Sequence, residues 1–412
     1  MRERKRPSRP SPTARAGARP VAGALLGERL PALIDLWRTS RNLAGRPESG
    51  ATLTRREIEK AGAALFALQR GLTGDRTLAG SGYMEDDDLL GAYLLYYWSV
   101  SYMQVSLALA ERPSSPGRVL DLGSGPGPAS AAIIDSAGAS VPGSRLDDLV
   151  LVDSSGKALD LAESCIARGR RAPARLEKAR IDLESGQELP EGPFDLIVAA
   201  HCLNELWRGK ADSLRRRQDL VRRAGKRLAP GGRILLLEPA LLATCRDLIA
   251  LRDGLASESW RVLGPCPGSY ACPAFAAGPE RSCHAQSPWE PPEPVASLAK
   301  AAALGRDSVK FAFFFLSPVA GVGETPPRDR RVVSEPMLNK AGRLRYVLCG
   351  EGRLETISAR EDDAEARAKG FMSLRRGDLL RPSGLESRPG GGYGLLPGSD
   401  LDPLLPAPEA AP

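Results

Sequence analysis

The segment Asp121-Leu122-Gly123-Ser124-Gly125-Pro126-Gly127 constrains the fold more than any other stretch of the chain. It closes the apolar run Val119-Leu120, so a predicted strand ends in glycines at alternate positions. Residues without Cβ accept positive φ and let the backbone approach a ligand closely. Pro128 suits the first position of a following helix. A pyrophosphate-binding fingerprint would read G-x-G-x-x-G, whereas these glycines fall at G-x-G-x-G, so the turn is not built for a dinucleotide.

Around this turn, strands are predicted at Arg118–Leu122, Asp148–Val152, Ala179–Leu183, Phe194–Ala200, Gly232–Glu238 and Val309–Leu316. Helices are predicted near Ala129–Ala137, Lys157–Arg168, Ser213–Leu228 and Leu241–Leu255. Strands alternating with helices imply a parallel sheet covered on both faces, a doubly wound α/β fold. At 412 residues the chain is longer than one core usually serves, so two folded units with tails are expected. The expected division is 1–24 as a disordered basic arm, 25–115 as an N-terminal helical lobe and 116–260 as the nucleotide-binding-type sheet. A Cys/Pro-rich insertion follows at 261–305, then a last sheet strand within 306–320, a basic hairpin region at 321–380 and a disordered Pro/Gly tail at 381–412.

The turn resembles the D-x-G-x-G-x-G of class I methyltransferases, whose donor S-adenosylmethionine carries no pyrophosphate. That resemblance implies a Rossmann-like fold and donor contacts from Asp121, Gly123, Ser124, Gly125 and Gly127. Asp153, ending the second strand, stands where a carboxylate accepts ribose hydroxyls; the bland alternative is a helix cap. Asp182 in Ile181-Asp182-Leu183 matches the position that contacts adenine in such enzymes, or else begins a turn. After the fourth strand, His201 and Asn204 are the candidates for chemistry, though a packed histidine is an equal reading. Cys202 and Cys245 are considered as nucleophiles and set aside, and Cys165 reads as helix packing.

The chain has seven cysteines, an odd number that does not suggest a secreted disulfide framework. Cys266, Cys272, Cys283 and Cys349 are spaced too widely for a zinc ribbon, whose ligands come in close pairs. Soft thiolates at such intervals fit an iron–sulfur cluster, with zinc as the alternative and His284 as a substitute ligand. Unliganded loop cysteines remain the third reading.

Taken together, Leu120 to Gly127, Leu203-Asn204-Glu205-Leu206, Pro265-Cys266-Pro267, Cys272-Pro273, Trp289 and Arg331-Val332-Val333 leading to Cys349 resemble a known family. It is the methyltransferase-like proteins of the small ribosomal subunit, comprising the mitochondrial assembly factor and its bacterial relatives. The resemblance covers roughly Tyr93 to Asp378. It implies a [4Fe-4S] cluster on Cys266, Cys272, Cys283 and Cys349, and contact with small-subunit rRNA. The net charge of +7 and pI near 9.1 agree with an anionic partner, and Lys340, Arg343, Arg345, Arg353 and Arg360 offer a basic hairpin for phosphates. The expected activity is rRNA methylation or subunit assembly; a non-catalytic iron–sulfur assembly factor and a small-molecule methyltransferase are the rivals. No apolar run approaches the roughly 18–20 residues of a membrane span. The proline-broken basic start lacks an apolar core for a signal peptide, so bacterial cytoplasm is expected, or the mitochondrial matrix in a eukaryote.

Overall fold

A computed structural model describes residues 15–42, 52–74, 76–78, 81–140, 146–258, 260–305, 307–318, 328–389 and 391–402. Four helices open the chain: α1 (Arg15–Thr39), α2 (Arg55–Gln69), α3 (Asp87–Ala92) and α4 (Trp98–Leu109). Alternation then begins with β1 (Arg118–Leu122), α5 (Pro128–Ser140), β2 (Asp148–Asp153), α6 (Gly156–Ala167), β3 (Arg175–Arg180) and β4 (Phe194–Ala200). It continues through α7 (Ser213–Gly225), β5 (Leu228–Pro239), α8 (Leu242–Ser257) and β6 (Arg261–Gly264). After α9 (Pro273–Ala276), β7 (Ala285–Pro288) and α10 (Glu293–Ala301), strand β8 (Ser308–Ser317) returns to the sheet.

The first sheet has the order β3-β2-β1-β4-β5-β8-β6, with β7 also on β8. Strands β1 to β5 pair in parallel and β8 runs antiparallel to β5, β6 and β7. Its central strands are apolar on both faces because both are covered. Leu149, Leu151, Leu196, Val198, Leu235 and Leu237 face the core shared with α1, α2, α4 and α10. The alternate residues Val150, Val152, Ile197, Ala199, Ile234 and Leu236 face α7 and α8. Order reverses between β1 and β4, and the crevice beyond the carboxyl ends of strands at such a switch point is where open α/β sheets bind ligands.

The second sheet comprises β9 (Arg330–Val332), β10 (Met337–Leu338), β11 (Arg343–Gly350), β12 (Arg353–Arg360), β13 (Leu379–Leu380), β14 (Glu386–Ser387) and β15 (Tyr393–Gly394). With the short helix α11 (Ala364–Ala368) it encloses its own core of Val332, Tyr346, Leu348, Ile357, Phe371, Leu380 and Leu401.

Four expectations need correction. The third strand lies at Arg175–Arg180 rather than Ala179–Leu183, because Asp182 and the residues after it form a turn held by Asp182 itself. Helix α1 starts at Arg15, inside the span expected as an arm; residues 1–14 lie outside the described residues. The insertion supplies β6 and β7 to the first sheet, since β8 needs partners on the side away from β5. Within the tail expected to be disordered, Tyr393 and Gly394 pair with β12 and Leu401 is buried; residues 403–412 lie outside the described residues.

Candidate functional site

At the end of β1, the backbone N–H groups of Gly123 and Ser124 both donate to Val152 O, at 2.8 and 2.9 Å. This bends the chain over β2, and Gly123, Gly125 and Gly127 take φ of +67°, +50° and +76°. A Cβ on Gly123 would lie 2.5 Å from that of Cys202, and one on Gly127 would lie 3.0 Å from that of Ala162. Glycine is thus required by close approach as well as by φ. Asp153 accepts from Gly125 N (2.8 Å) through Oδ2 and from Ser155 N (2.9 Å) through Oδ1. Burial raises its carboxyl, and these backbone donors oppose the rise. The Ser155 hydroxyl caps α6 and donates to Glu85 at 2.7 Å.

Asp121 is buried and accepts from Ser130 Oγ at 2.6 Å. Among the described residues, its Oδ1 and the hydroxyl of Ser124 have no hydrogen-bond partner. Desolvation pushes the Asp121 carboxyl up to about 7, and the Asp153 charge adds to the rise. Beside the turn opens a cavity of about 780 Å³, bounded by Gly123, Gly125 and Asp153 on the sheet side and Tyr83, Tyr93 and Tyr97 on the helical side. The three tyrosine rings form a run with centroids 6.3 and 6.0 Å apart.

The loop after β4 forms another wall. His201 holds a left-handed φ of +63°, and its N–H donates to Leu237 O at 2.7 Å. Gln104 donates to Lys310 O, which turns its amide oxygen toward His201 Nε2 at 2.8 Å, so Nε2 carries the proton. Burial lowers the His201 pKa to about 4, which leaves the ring neutral at ordinary pH. Asn204 is held on every side: its N and Nδ2 donate to Glu238 at 3.0 and 2.7 Å, and its Oδ1 accepts from Arg76. The Cys202 thiol donates to Leu122 O, and desolvation raises its pKa far above the usual range. Asp182 borders the cavity but is exposed, its Oδ1 committed to Glu184 N at 2.9 Å.

Sequence reasoning missed Glu238, the tyrosine wall and Arg76. Glu238 had a legible signal, an acid closing a buried strand in Leu235-Leu236-Leu237-Glu238, as Asp121 and Asp153 do. Only the fold brings Arg76 to Thr244 (2.9 Å) and Asn204.

The four singled-out cysteines come from four places: the loop after β6, the N-terminus of α9, the residue pair before β7, and β11. Cys266 and Cys272 act electrostatically on Cys349, and Cys266, Cys272 and Cys349 all act on Cys283. Burial raises the Cys272 thiol and pushes that of Cys349 up to about 12. The charges of Arg252, Arg331 and Arg376 act on members of the set in the opposite sense. Arg252 is wholly buried and donates to Gly268 O (2.8 Å) and Tyr270 O, while Asp253 accepts from Cys272 N (3.0 Å). Helix α8 thereby fastens the Cys266–Cys272 loop. Among the described residues, no three His, Cys, Asp or Glu side chains are grouped to hold a metal ion.

On the second sheet, Arg353 pairs with Glu351 and Glu355, Arg360 pairs with Asp362, and Arg343 reaches Ser358. Lys340 and Arg345 are exposed and carry no ion pair among the described residues. No helix of the described residues is long and apolar enough to cross a membrane.

A parallel sheet ordered 3-2-1-4-5, extended by an antiparallel strand, with a glycine turn after its first strand and an acid ending its second, defines the class I methyltransferase fold. Residues 91–360 match the family described as mitochondrial small ribosomal subunit Rsm22, and the chain belongs to that family. No curated protein matches it. Among solved structures it is similar to the plantazolicin methyltransferase BpumL in complex with a monoazolic desmethylPZN analog and SAH, at 12% identity and TM-score 0.32, over 64% of this chain and 99% of that one. It is similar to the N-methyltransferase NodS from Bradyrhizobium japonicum with bound S-adenosyl-L-homocysteine, at 17% identity and TM-score 0.33, over 61% and 97% of the chains. TehB from Haemophilus influenzae is similar at 15% identity and TM-score 0.32, over 52% and 61%. The strand order defines the fold without them.

Proposed function

We propose that this chain binds S-adenosylmethionine at the glycine turn and works on or with the small ribosomal subunit, in methylation of its RNA or in its assembly. The cavity at the strand-order reversal carries the reading, because the turn fits the donor chemically. Asp153 offers the cavity a carboxylate for ribose hydroxyls, and within the turn, behind that wall, Asp121 Oδ1 and Ser124 Oγ are buried polar atoms with no partner among the described residues. Gly123, Gly125 and Gly127 would let the donor approach the backbone. When bound, the donor supplies an electrophilic methyl group; the chain supplies orientation and exclusion of water. Asp182, bound to its own turn, is the weakest of the proposed donor contacts.

Ribosomal contact rests on family membership and on the basic surface, in which Lys340 and Arg345 are the hairpin's free cations. The working compartment is then the one where the small subunit is assembled: bacterial cytoplasm, or the mitochondrial matrix in a eukaryote.

Assembly without transfer is the second reading, and the loop after β4 favours it. His201 is neutral and bonded to Gln104, Asn204 is saturated, and the Cys202 thiol is committed to Leu122 O. None of the three stands ready as a general base. Labelled S-adenosylmethionine incubated with immature small subunits separates the readings. Label in RNA supports transfer; tight donor binding without label supports assembly; no donor binding defeats both.

We further propose that Cys266, Cys272, Cys283 and Cys349 hold a four-iron cluster. What supports it is their mutual electrostatic influence, the soft donor set and three arginines positioned against the negative charge of four thiolates. Anaerobic purification should give a brown protein with iron and sulfide in equal amounts; a colourless protein containing one zinc would defeat it.

A further inference from the structure

One unbroken helical run, from Asp87 to Leu109, serves both the cavity and the glycine turn. Within it, α3 and α4 are joined by a single π-helical turn at Tyr93–Tyr97, where the Trp98 backbone N–H donates five residues back to Tyr93 O. Such a turn inserts one residue into an α-helix, which re-aims the side chains that follow, and is frequent at functional sites. Tyr93, Tyr97, Val100 and Gln104 line the cavity. Trp98 and Tyr102, one helical turn apart, face the glycine turn and α5 instead. Both are wholly buried, and their rings stack with centroids 5.5 Å apart and planes 12° from parallel.

The indole N–H of Trp98 donates to Pro126 O at 3.0 Å, in a buried bond. Stacking holds the indole against Tyr102, whose hydroxyl donates to Asp135 Oδ2 at 2.7 Å. Asp135 also accepts from Arg29 of α1 through both oxygens, at 2.6 and 2.8 Å. Pro126 lies between Gly125 and Gly127, both at left-handed φ. Its carbonyl is thus a point at which the helical lobe grips the turn. The other grips come from β2: Gly123 and Ser124 donate to Val152 O, and Gly125 donates to Asp153. Glycine loses more backbone freedom on ordering than any other residue, and a ligand that must order its own site binds more weakly for it. Fixing Pro126 O beforehand removes part of that cost.

We propose that Trp98 is a positioning residue for the donor: its indole preorganises the glycine turn and so couples the helical lobe to donor binding. The inference rests on the reading that S-adenosylmethionine binds at this turn. Coupling between two parts of a protein is reciprocal. An occupied cavity therefore tightens the helix that carries Tyr93, Tyr97 and Trp98, just as that helix tightens the turn. Donor occupancy is registered in the lobe without any methyl group being transferred, which serves transfer and assembly alike.

Calorimetric titration of the full chain with S-adenosylhomocysteine, alongside melting temperature, tests this for wild type, Trp98→Phe and Tyr102→Phe. Both variants keep a ring in the stack and lose one buried hydrogen bond, but only Trp98→Phe loses a bond to the turn. Trp98→Phe should weaken binding about five- to tenfold, as expected for one such bond. Tyr102→Phe should lower the melting temperature and leave the affinity as in wild type. Unchanged affinity in Trp98→Phe, or an equal loss in both variants, overturns the inference and leaves the donor reading intact. A second measurement needs wild type alone and so stands even where Trp98→Phe does not fold. Saturating S-adenosylhomocysteine should slow amide hydrogen exchange in Trp98–Leu109 as well as in the turn; protection confined to the turn overturns the coupling. Failure of wild type to bind S-adenosylhomocysteine refutes the donor reading itself, and the inference with it.

Discussion

Gly123 concentrates two requirements at one residue, a left-handed backbone and the absence of a Cβ beside Cys202. Gly123→Ala should destabilise the protein by about 2–4 kcal/mol through backbone strain and overpacking. Calorimetry would measure that loss, and titration with S-adenosylhomocysteine should show binding lost with it. Asp153→Asn would keep one acceptor for Gly125 N yet remove the charge, and should weaken the same ligand about tenfold or more by calorimetric titration. Glu238 bears on pH. Burial raises its carboxyl from 4.5 to about 7, so the folded state binds this proton more tightly than the unfolded state. Its contribution is therefore most favourable below pH 4.5 and is lost as pH rises to 7, by at most about 3 kcal/mol. His201 acts oppositely, since its lowered pKa makes stability rise between about 4 and 6.5. Comparing wild type with Glu238→Gln cancels that term: from pH 5 to 8 the melting temperature of wild type should fall relative to the variant.

Among the elements, β1 and β4 were legible to the residue, because a buried parallel strand is an unbroken apolar run closed by turn signals. Strand β3 was not. Its residues Arg175–Arg180 are mostly exposed and charged at the sheet's edge, so the apolar pair Ile181 and Leu183 drew the reading downstream into a turn. The glycine turn and Asp153 were readable for the same local reason, whereas Tyr83 and Gln104 reach the cavity, and Arg76 reaches Asn204, only by tertiary packing. The last strands escaped notice because two-residue strands amid Pro and Gly carry no periodicity. Deleting the residues after Arg381 should nonetheless cost at least about 2 kcal/mol, since it exposes the surface buried by Leu401 and unpairs β12 from β15. Chemical denaturation of the truncated chain measures this, and unaltered stability would show those strands to be superfluous.

For the molecule as a whole, the central question is how two sheets with separate cores stay joined. The Arg331–Glu111 pair spans them, and the proposed cluster would join Cys349 of the second sheet to Cys266, Cys272 and Cys283 in the segments around β6, α9 and β7. With the proposed cluster in place the protein should melt in one transition. Chelation of iron, or Cys349→Ser, should split calorimetric unfolding into two, the second sheet melting first; a single unchanged transition would assign the coupling to packing alone. The position of Cys349 also sets an order of events in synthesis. The glycine turn and Cys266, Cys272 and Cys283 leave the ribosome before β11 does, so a nascent chain can shape the proposed donor cavity early, whereas the proposed cluster would have to wait for Cys349.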